Sequence, residues 1–574
     1  MTRFSTQMIR SCASLAVLLG GLTSATAQAP SGTALARCED LAGLTLEAAR
    51  IGLPTGGAVV KQASRLGPEG PIADKSKDPD GEQRLPKPAR CLLQGEILPV
   101  DAKAPPIRFA VNMPLQWNGK ALQSGGGGLG GAVITAPEQK ASGRIDPVPL
   151  DAPYPLSLGY ATFGSDGGHQ GPDVGFIRND EALRNWAGDA LKKTRDVAIA
   201  LITAGYGRTP DRTYFTGESA GARESLWVAQ RYPRDYDGII ATSPVLSWTY
   251  IHLADNAMRT ALAQGWLDAD AIRLIAANTR KACDELDGLK DGVVARYMEC
   301  PNTVAELRCP DGKPGSGCLS DAQINAVNTI RRPWAMDFPL AHGVTRYPGF
   351  GTTGDEDGRL YQWDFYTVGK ERPGVPLEPG RGFERGRGAV LNFSNVWVRH
   401  AIAQDERFEP YWFDPLPFRE RIQYLSALFD ATDPDLGPLR TRGAKLIMYQ
   451  PSADNAVGTP MVAEYYRSIV AAMGQDGADQ VMRFYVGPGG GHNATGISQI
   501  DTLSLLEAWV ERGTAPPDQI TAVDIDPDTL RRGRSMPACR YPAFARYDGK
   551  GNPDAAESFR CTARPDPLAY MRPR

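Results

Sequence analysis

Gly217-Glu218-Ser219-Ala220-Gly221 sets a serine between two glycines, after an apolar run, Thr213-Tyr214-Phe215-Thr216, and before a helix-forming run, Ala222 to Arg231. No other stretch constrains the fold of this chain as tightly. A strand that turns into a helix through G-x-S-x-G is the layout of a nucleophile elbow. The glycines allow a turn so sharp that the serine hydroxyl projects alone. The helix that follows aims free N–H groups at an oxyanion developing beside the serine. The five-residue pattern is weak by itself, because Gly and Ser are common; the strand before it and the helix after it carry the reading.

A serine nucleophile needs a base, and the base needs an orienting acid. In the elbow layout both follow the serine, acid first and histidine second, each in a loop after a strand. The chain has five histidines. One of them, His492, ends the loop Gly487-Pro488-Gly489-Gly490-Gly491-His492 directly after the strand-like run Met482–Val486. Asp454 follows the strand-like run Lys445–Tyr449. Ser219, Asp454 and His492 are therefore the expected catalytic residues, and Asp430 and Asp433, ahead of that strand, read as surface or hinge residues. The glycine loop Ser124–Gly131 follows the probable strand Lys120–Gln123. Its backbone can approach a substrate carbonyl closely, so Ala220 N–H and one of Gly126 or Gly127 are the expected oxyanion donors. A phosphate-binding loop is excluded, since no Gly-Lys-Ser/Thr ends it.

The 574 residues allow a large domain with a substantial insertion. Apolar residues at 42% and charged residues at 22% are ordinary for a globular protein, and a net charge of −3 points to no nucleic acid and no anionic membrane as partner. The N-terminus, with Arg3 and Arg10, the apolar core Leu15–Leu19 and Ala25-Thr26-Ala27, reads as a signal peptide over residues 1–27. Its core is too short to act as a membrane anchor. The remaining eight cysteines are an even number in a chain expected to be periplasmic or secreted, which suggests four disulfides. Proximity suggests Cys283–Cys300 and Cys309–Cys318 as local staples, with Cys38–Cys91 and Cys539–Cys561 as the remaining pairs, although sequence alone leaves the connectivity open.

From about residue 95 strand-like and helix-like pieces alternate. Ile107–Val111 reads as a strand and Leu191–Thr203 as a helix, with Leu191, Ala198, Leu201 and Ile202 near one face and Gly205 as its stop. The alternation is lost after Ser243 and resumes at Lys445. The middle is either a loop-rich excursion or a lid inserted into an α/β core. The expected division is 28–243 and 436–574 for the two parts of an α/β-hydrolase core, and 244–435 for the lid. Within the lid, Asp284, Asp287 and Asp291 stand at short spacing with Gly288 and Gly292 between and after them. Three carboxylates with glycines for tight turns suit a hard cation, calcium before zinc, without the EF-hand spacing. An acidic turn holding no metal has the same composition.

These features together resemble the tannase and feruloyl esterase family of α/β-hydrolases. The resemblance spans nearly all of the chain after the signal peptide. It is carried by Trp117-Asn118-Gly119-Lys120, the glycine loop, Ser165-Asp166-Gly167-Gly168-His169, Tyr214 through Ile239, the Cys283–Cys300 segment, Asp454, Gly491-His492 and Trp509-Val510-Glu511-Arg512-Gly513. It implies a triad of Ser219, Asp454 and His492. It further implies a structural calcium held by Asp284, Asp287 and Asp291 with the carbonyls of Leu289 and Val293, and it supports the four disulfide pairs. The family usually joins the serine and histidine loops by a disulfide whose cysteines fall at the positions of Glu218 and Asn493 here. A Glu218–Asn493 hydrogen bond, or packing, is expected to take its place. Ala222 stands where a glycine is usual, a change a helix accepts.

The resemblance implies a pocket for a planar aromatic acyl group, drawn from lid clusters at Tyr361–Tyr366, Phe393 and Trp397, and Phe408, Tyr411, Trp412 and Phe413. Trp397 and Phe413 are candidate substrate contacts. Arg399 is a candidate partner for the free carboxylate of a terephthalate monoester. The expected function is that of an exported serine ester hydrolase acting on hydroxycinnamate-, gallate- or terephthalate-type esters, with no organic cofactor. The alternatives are a thioesterase, a peptidase, or a non-catalytic exported binding protein that retains the fold. Intact Ser219, Asp454 and His492 argue against the last.

Overall fold

The computed structural model describes residues 35, 37–70, 86–135, 147–313, 315–358, 362–373, 386–492, 495–527 and 529–568. The expected signal peptide, Tyr361 and Asn493 lie outside the described residues. In chain order the strands are β1 (Thr45–Leu46), β2 (Ala58–Leu66), β3 (Arg90–Ile97), β4 (Ile107–Pro114), β5 (Lys120–Ser124), β6 (Ala161–Ser165), β7 (Arg212–Glu218) and β8 (Gly238–Thr242). They continue with β9 (Trp334–Ala335), β10 (Arg346–Tyr347), β11 (Lys445–Pro451), β12 (Met482–Gly487), β13 (Gln519–Ile525), β14 (Arg532–Arg540), β15 (Phe544–Tyr547) and β16 (Phe559–Thr562). Twelve of them form one sheet, in the order β1-β2-β3-β4-β6-β5-β7-β8-β11-β12-β14-β13, while β9 pairs with β10 and β15 with β16.

The six central strands, β6 to β12 in that order, pair in parallel, with antiparallel strands on both flanks. A parallel block is covered on both faces, so its strands read as unbroken apolar runs. Gly238-Ile239-Ile240-Ala241-Thr242 is buried at every position. Adjacent residues of β5 serve the two faces. Ala121 joins a cluster with Val197, Leu201 and Ile202 of the helix Ala190–Tyr206, and Leu122 joins one with Leu503, Leu506 and Trp509 of the helix Thr502–Arg512. The mixed sheet between helical layers is the expected α/β-hydrolase core.

The first of these helices corrects the sequence reading at its end. Gly205 does not stop it. Gly205 is buried inside the last turn, where a Cβ would come within 2.1 Å of Met113 Cε, and the helix ends at Gly207 with φ +74°. Two glycines two residues apart look alike in sequence; one is there for close approach and the other for the left-handed turn.

The described residues of 244–435 add no strand to the large sheet. They are mainly helical, with Trp248–Gln264, Ala269–Cys283, Asp321–Arg331, Ala389–Val396 and Arg419–Phe429. Arg223, on the helix Ala220–Arg231 that follows β7, ties this segment down. Its guanidinium is buried and donates to the carbonyls of Ala187 (2.7 Å) and Phe429 (3.1 Å). Asp430 sits beside that anchor and is fully buried, accepting from Thr249 N at 2.8 Å and from Ser426 Oγ. It is no surface residue, because the helix Trp248–Gln264 needs an acceptor at its first turn. Asp433, three residues on, is partly exposed. Four disulfides join Cys38 to Cys91, Cys283 to Cys300, Cys309 to Cys318, and Cys539 to Cys561. None joins the loops after β7 and β12.

Candidate active site

Register brings the site together. Glu218 pairs with Thr242, Thr242 and Tyr449 lie level across β8 and β11, and Pro451 pairs with Gly487. The C-terminal ends of β7, β8, β11 and β12 therefore share one edge of the sheet, where open α/β sheets hold their ligands. Ser219 follows β7 directly and takes φ +60° and ψ −122°. A non-glycine residue in that region carries strain of about 1–3 kcal/mol. The flanking glycines make the turn possible by close approach: a Cβ on Gly217 would lie 2.1 Å from Gly221 O, and one on Gly221 would lie 2.5 Å from Gly126 O.

Asp454, three residues beyond β11, is buried. Its Oδ1 accepts from Ala456 N (2.9 Å) and Val457 N (2.8 Å), and its Oδ2 lies 2.8 Å from His492 Nδ1. The first two bonds fix the carboxylate so that the third points the imidazole. Glu218 Oε1 lies 3.8 Å from His492 Nε2. Burial acts to lower the His492 pKa, but the charge and hydrogen bond of Asp454, with a further contribution from Glu218, outweigh it and hold it above the ordinary value. Asn493 is outside the described residues, and the expected Glu218–Asn493 contact with it.

Ser219 and His492 line one cavity with Ala220, Gly128, Val245, Trp248, Ile251, His252, Asp255, Tyr366, Val390, Phe393, Ala456 and Val457. Its free space is about 370 Å³ between closely set side chains, which makes it a slot. The Tyr366 ring stands edge-on to His492 at 4.9 Å. Past Gly128 and Phe393 a more open groove of about 790 Å³ runs along Leu129–Ala132, His169 and Gly171–Val174.

Three expected substrate contacts fall elsewhere. Trp397 is buried one layer behind the cavity wall, packed on Trp248 (6.2 Å) and His252 (6.3 Å). Arg399 is buried with Nε donating to Phe408 O at 2.7 Å, and Phe413 packs on Phe408 and Phe418. Aromatic and cationic residues were expected to face substrate by composition; helix phase turns these three into the packing of the lid. Trp248, His252 and Asp255 face the cavity instead, from the first turns of Trp248–Gln264, together with Tyr366 and Phe393 from the expected clusters.

The glycine loop also differs in detail. Gly126 N donates to Glu224 Oε2 at 2.7 Å, which takes it out of the oxyanion donors and leaves Gly127 beside Ala220. His169 holds the loop from behind: its ring stacks on Phe176 at 3.8 Å and Nε2 donates to Leu129 O at 2.7 Å. Asp166 accepts Gly131 N on its carbonyl (3.0 Å). Burial lowers the His169 pKa. The Ser165–His169 stretch was visible in sequence as a motif without a role, and its role is to hold this loop.

In the expected calcium segment, Asp284 Oδ1 accepts from Asp291 N (3.1 Å) and Gly292 N (3.0 Å), Asp287 Oδ1 from Leu289 N (3.1 Å), and Asp291 Oδ1 from Val293 N (3.0 Å). Asp291 Oδ2 pairs with Arg534. Asp287 Oδ2 is buried with no hydrogen-bond partner. Among the described residues no three carboxylate, imidazole or thiol groups converge on one point. A site here would thus draw on backbone carbonyls, as the expected Leu289 and Val293 ligands require, and the orphaned Asp287 oxygen fits a hard cation.

A serine on a strained elbow, a buried imidazole bonded to a buried aspartate, and a parallel sheet presenting both define an α/β-hydrolase. Comparison with known proteins narrows the class. Residues 91–562 match the family model "Tannase and feruloyl esterase", and the chain belongs to that family. It is 34% identical to an uncharacterized esterase of Agrobacterium fabrum, covering 91% of this chain and 92% of that one. It is 30% identical to mono(2-hydroxyethyl) terephthalate hydrolase of Piscinibacter sakaiensis, covering 83% and 85%. The fold matches feruloyl esterase B of Aspergillus oryzae with a TM-score of 0.71 at 20% identity, covering 90% of this chain and 98% of that one. The protein is a carboxylic ester hydrolase. No helix among the described residues is long and apolar enough to cross a membrane.

Proposed function

We propose that this esterase cleaves esters of planar aromatic acids by two-step acyl transfer through Ser219. The observation that carries the reading is the 2.8 Å His492–Asp454 contact beside Ser219, in a slot walled by Trp248, Tyr366 and Phe393. His492 Nε2 takes the Ser219 proton as Oγ attacks the ester carbonyl. Ala220 N–H and Gly127 N–H stabilise the oxyanion. His492 then gives the proton to the leaving alcohol, which departs through the groove past Gly128. It next activates the water that releases the acid. Asp454 holds the imidazole tautomer and stabilises its charged form.

A narrow slot between aromatic side chains suits a flat ring, which stacks or meets such walls edge-on. Relatives named for feruloyl and terephthalate esters support an aromatic acyl group. Among the described residues no lysine or arginine lines the slot, which favours hydroxycinnamate- or gallate-like esters over a terephthalate monoester. The N-terminal leader and four disulfides support a periplasmic or secreted location. Asp284, Asp287 and Asp291 with the Leu289 and Val293 carbonyls would hold a calcium ion that braces the lid away from the chemistry.

The test is hydrolysis of p-nitrophenyl acetate, methyl ferulate, methyl gallate and a terephthalate monoester by wild type and Ser219→Ala. Cleavage of the aromatic-acid esters that falls by about 10⁴-fold or more in the variant is expected. Wild-type protein that cleaves none of the aromatic-acid esters would sink the proposal.

A further inference from the structure

His252 and Asp255 stand one turn apart on Trp248–Gln264 and both line the Ser219 slot. Both are almost wholly buried, at 3% and 0% exposure. The other lid residues on the slot are apolar or aromatic: Val245, Trp248, Ile251, Tyr366, Val390 and Phe393. His252 Nδ1 lies 3.3 Å from Asp255 Oδ2. The outward atoms of the pair, His252 Nε2 and Asp255 Oδ1, have no hydrogen-bond partner among the described residues. Leaving two buried polar atoms unmade costs about 1–3 kcal/mol each, so such a pair calls for an explanation.

The pair plays no part in acyl transfer, since the base and its acid are already supplied by His492 and Asp454. Its chemistry is that of recognition. We propose that His252 and Asp255 form a subsite for a hydroxyl group on the aromatic ring of the acyl moiety, and thereby set the preference of this enzyme for hydroxyaryl esters. The inference rests on the aromatic-ester reading above and names the substrate feature that reading leaves open.

The hydrogen-bond inventory selects a hydroxyl. Burial lowers the His252 pKa to about 3 and pushes Asp255 well above the usual carboxylate range, with Arg259 opposing the second shift. Both groups are thus favoured neutral, and in either tautomer of the pair one of Nε2 and Oδ1 is a donor and the other an acceptor. A ring hydroxyl accepts from the donor and donates to the acceptor. A methoxy group or a ring carboxylate can only accept, and sets a lone pair against the acceptor. An unsubstituted ring leaves both atoms unmade. Sites built to bond a substrate hydroxyl reject the analogue lacking it far more strongly than apolar pockets reject a missing methylene.

The experiment compares kcat/KM of wild type on methyl 4-hydroxycinnamate, methyl cinnamate, methyl 4-methoxycinnamate and monomethyl terephthalate, and repeats it with Asp255→Asn and His252→Phe. A preference of at least tenfold for the 4-hydroxy ester over the other three is expected. In both variants the ratio to methyl cinnamate should fall toward one. Equal rates on hydroxylated and plain rings in wild type would overturn the subsite while leaving the aromatic esterase intact, and this comparison needs no variant to fold. An unchanged ratio in a folded variant would overturn it as well. Cleavage of p-nitrophenyl acetate with none of the aromatic-acid esters would overturn the aromatic reading and the subsite with it.

Discussion

At the residue scale, His492 is held between two carboxylates. Asp454 bonds its Nδ1 at 2.8 Å, and Glu218 lies 3.8 Å from its Nε2. A base acts only when neutral, so activity falls as pH drops through its pKa. The raised pKa of His492 puts that acid limb above the pH of an unperturbed imidazole. Glu218→Gln removes one of the charges that raise it. The acid limb of the kcat/KM profile should move to lower pH, with the plateau rate changed little. A limb that stays in place or moves up would show that Glu218 does not act on the imidazole. Glu218 was legible only as a departure from a cysteine, because its neighbour in space is 274 positions away in the chain.

At the element scale, the glycine loop has no regular secondary structure and is held from outside. The His169–Leu129 bond, the Phe176 stack and the Asp166–Gly131 bond hold it against the ends of β5 and β6. His169→Phe keeps the stack and removes the bond. It should lower kcat by about tenfold or more, or roughly 1.4 kcal/mol in the barrier, with KM moved less, because oxyanion donors act mainly in the transition state. Steady-state kinetics on one aryl ester checks it; a change confined to KM would contradict it. The strands of the parallel block were readable because burial on both faces makes them continuous apolar runs. The end of the helix Ala190–Tyr206 was not, since nothing local distinguishes a packing glycine at 205 from a turning glycine at 207.

At the scale of the whole molecule, residues 244–435 are tied to the core by contacts that include Arg223 to Phe429, Trp227 to Leu428, and Arg534 to Asp291. The last joins the acidic turn to β14. If calcium occupies that turn, its removal leaves the Asp287 oxygen and the carbonyls around it without a partner. Chelation should then lower Tm by several degrees, with recovery on adding Ca²⁺ and not Mg²⁺, which demands a tighter octahedron. Thermal unfolding in EDTA with back-titration checks this; a Tm indifferent to chelator would remove the metal.

What the sequence determined was everything that local chemistry and order along the chain can carry. The elbow, the order of Ser219, Asp454 and His492, the cysteine pairs that are neighbours in sequence, and the apolar strands all follow from spacing and composition. What only the tertiary structure decided was which side chains of the insertion meet the serine. Trp397, Phe413 and Arg399 have the composition of a pocket and lie in the packing behind it, while Trp248, His252 and Asp255 line it. Helix phase relative to a distant sheet edge makes that choice, and phase is set by packing across the fold, which no local pattern encodes.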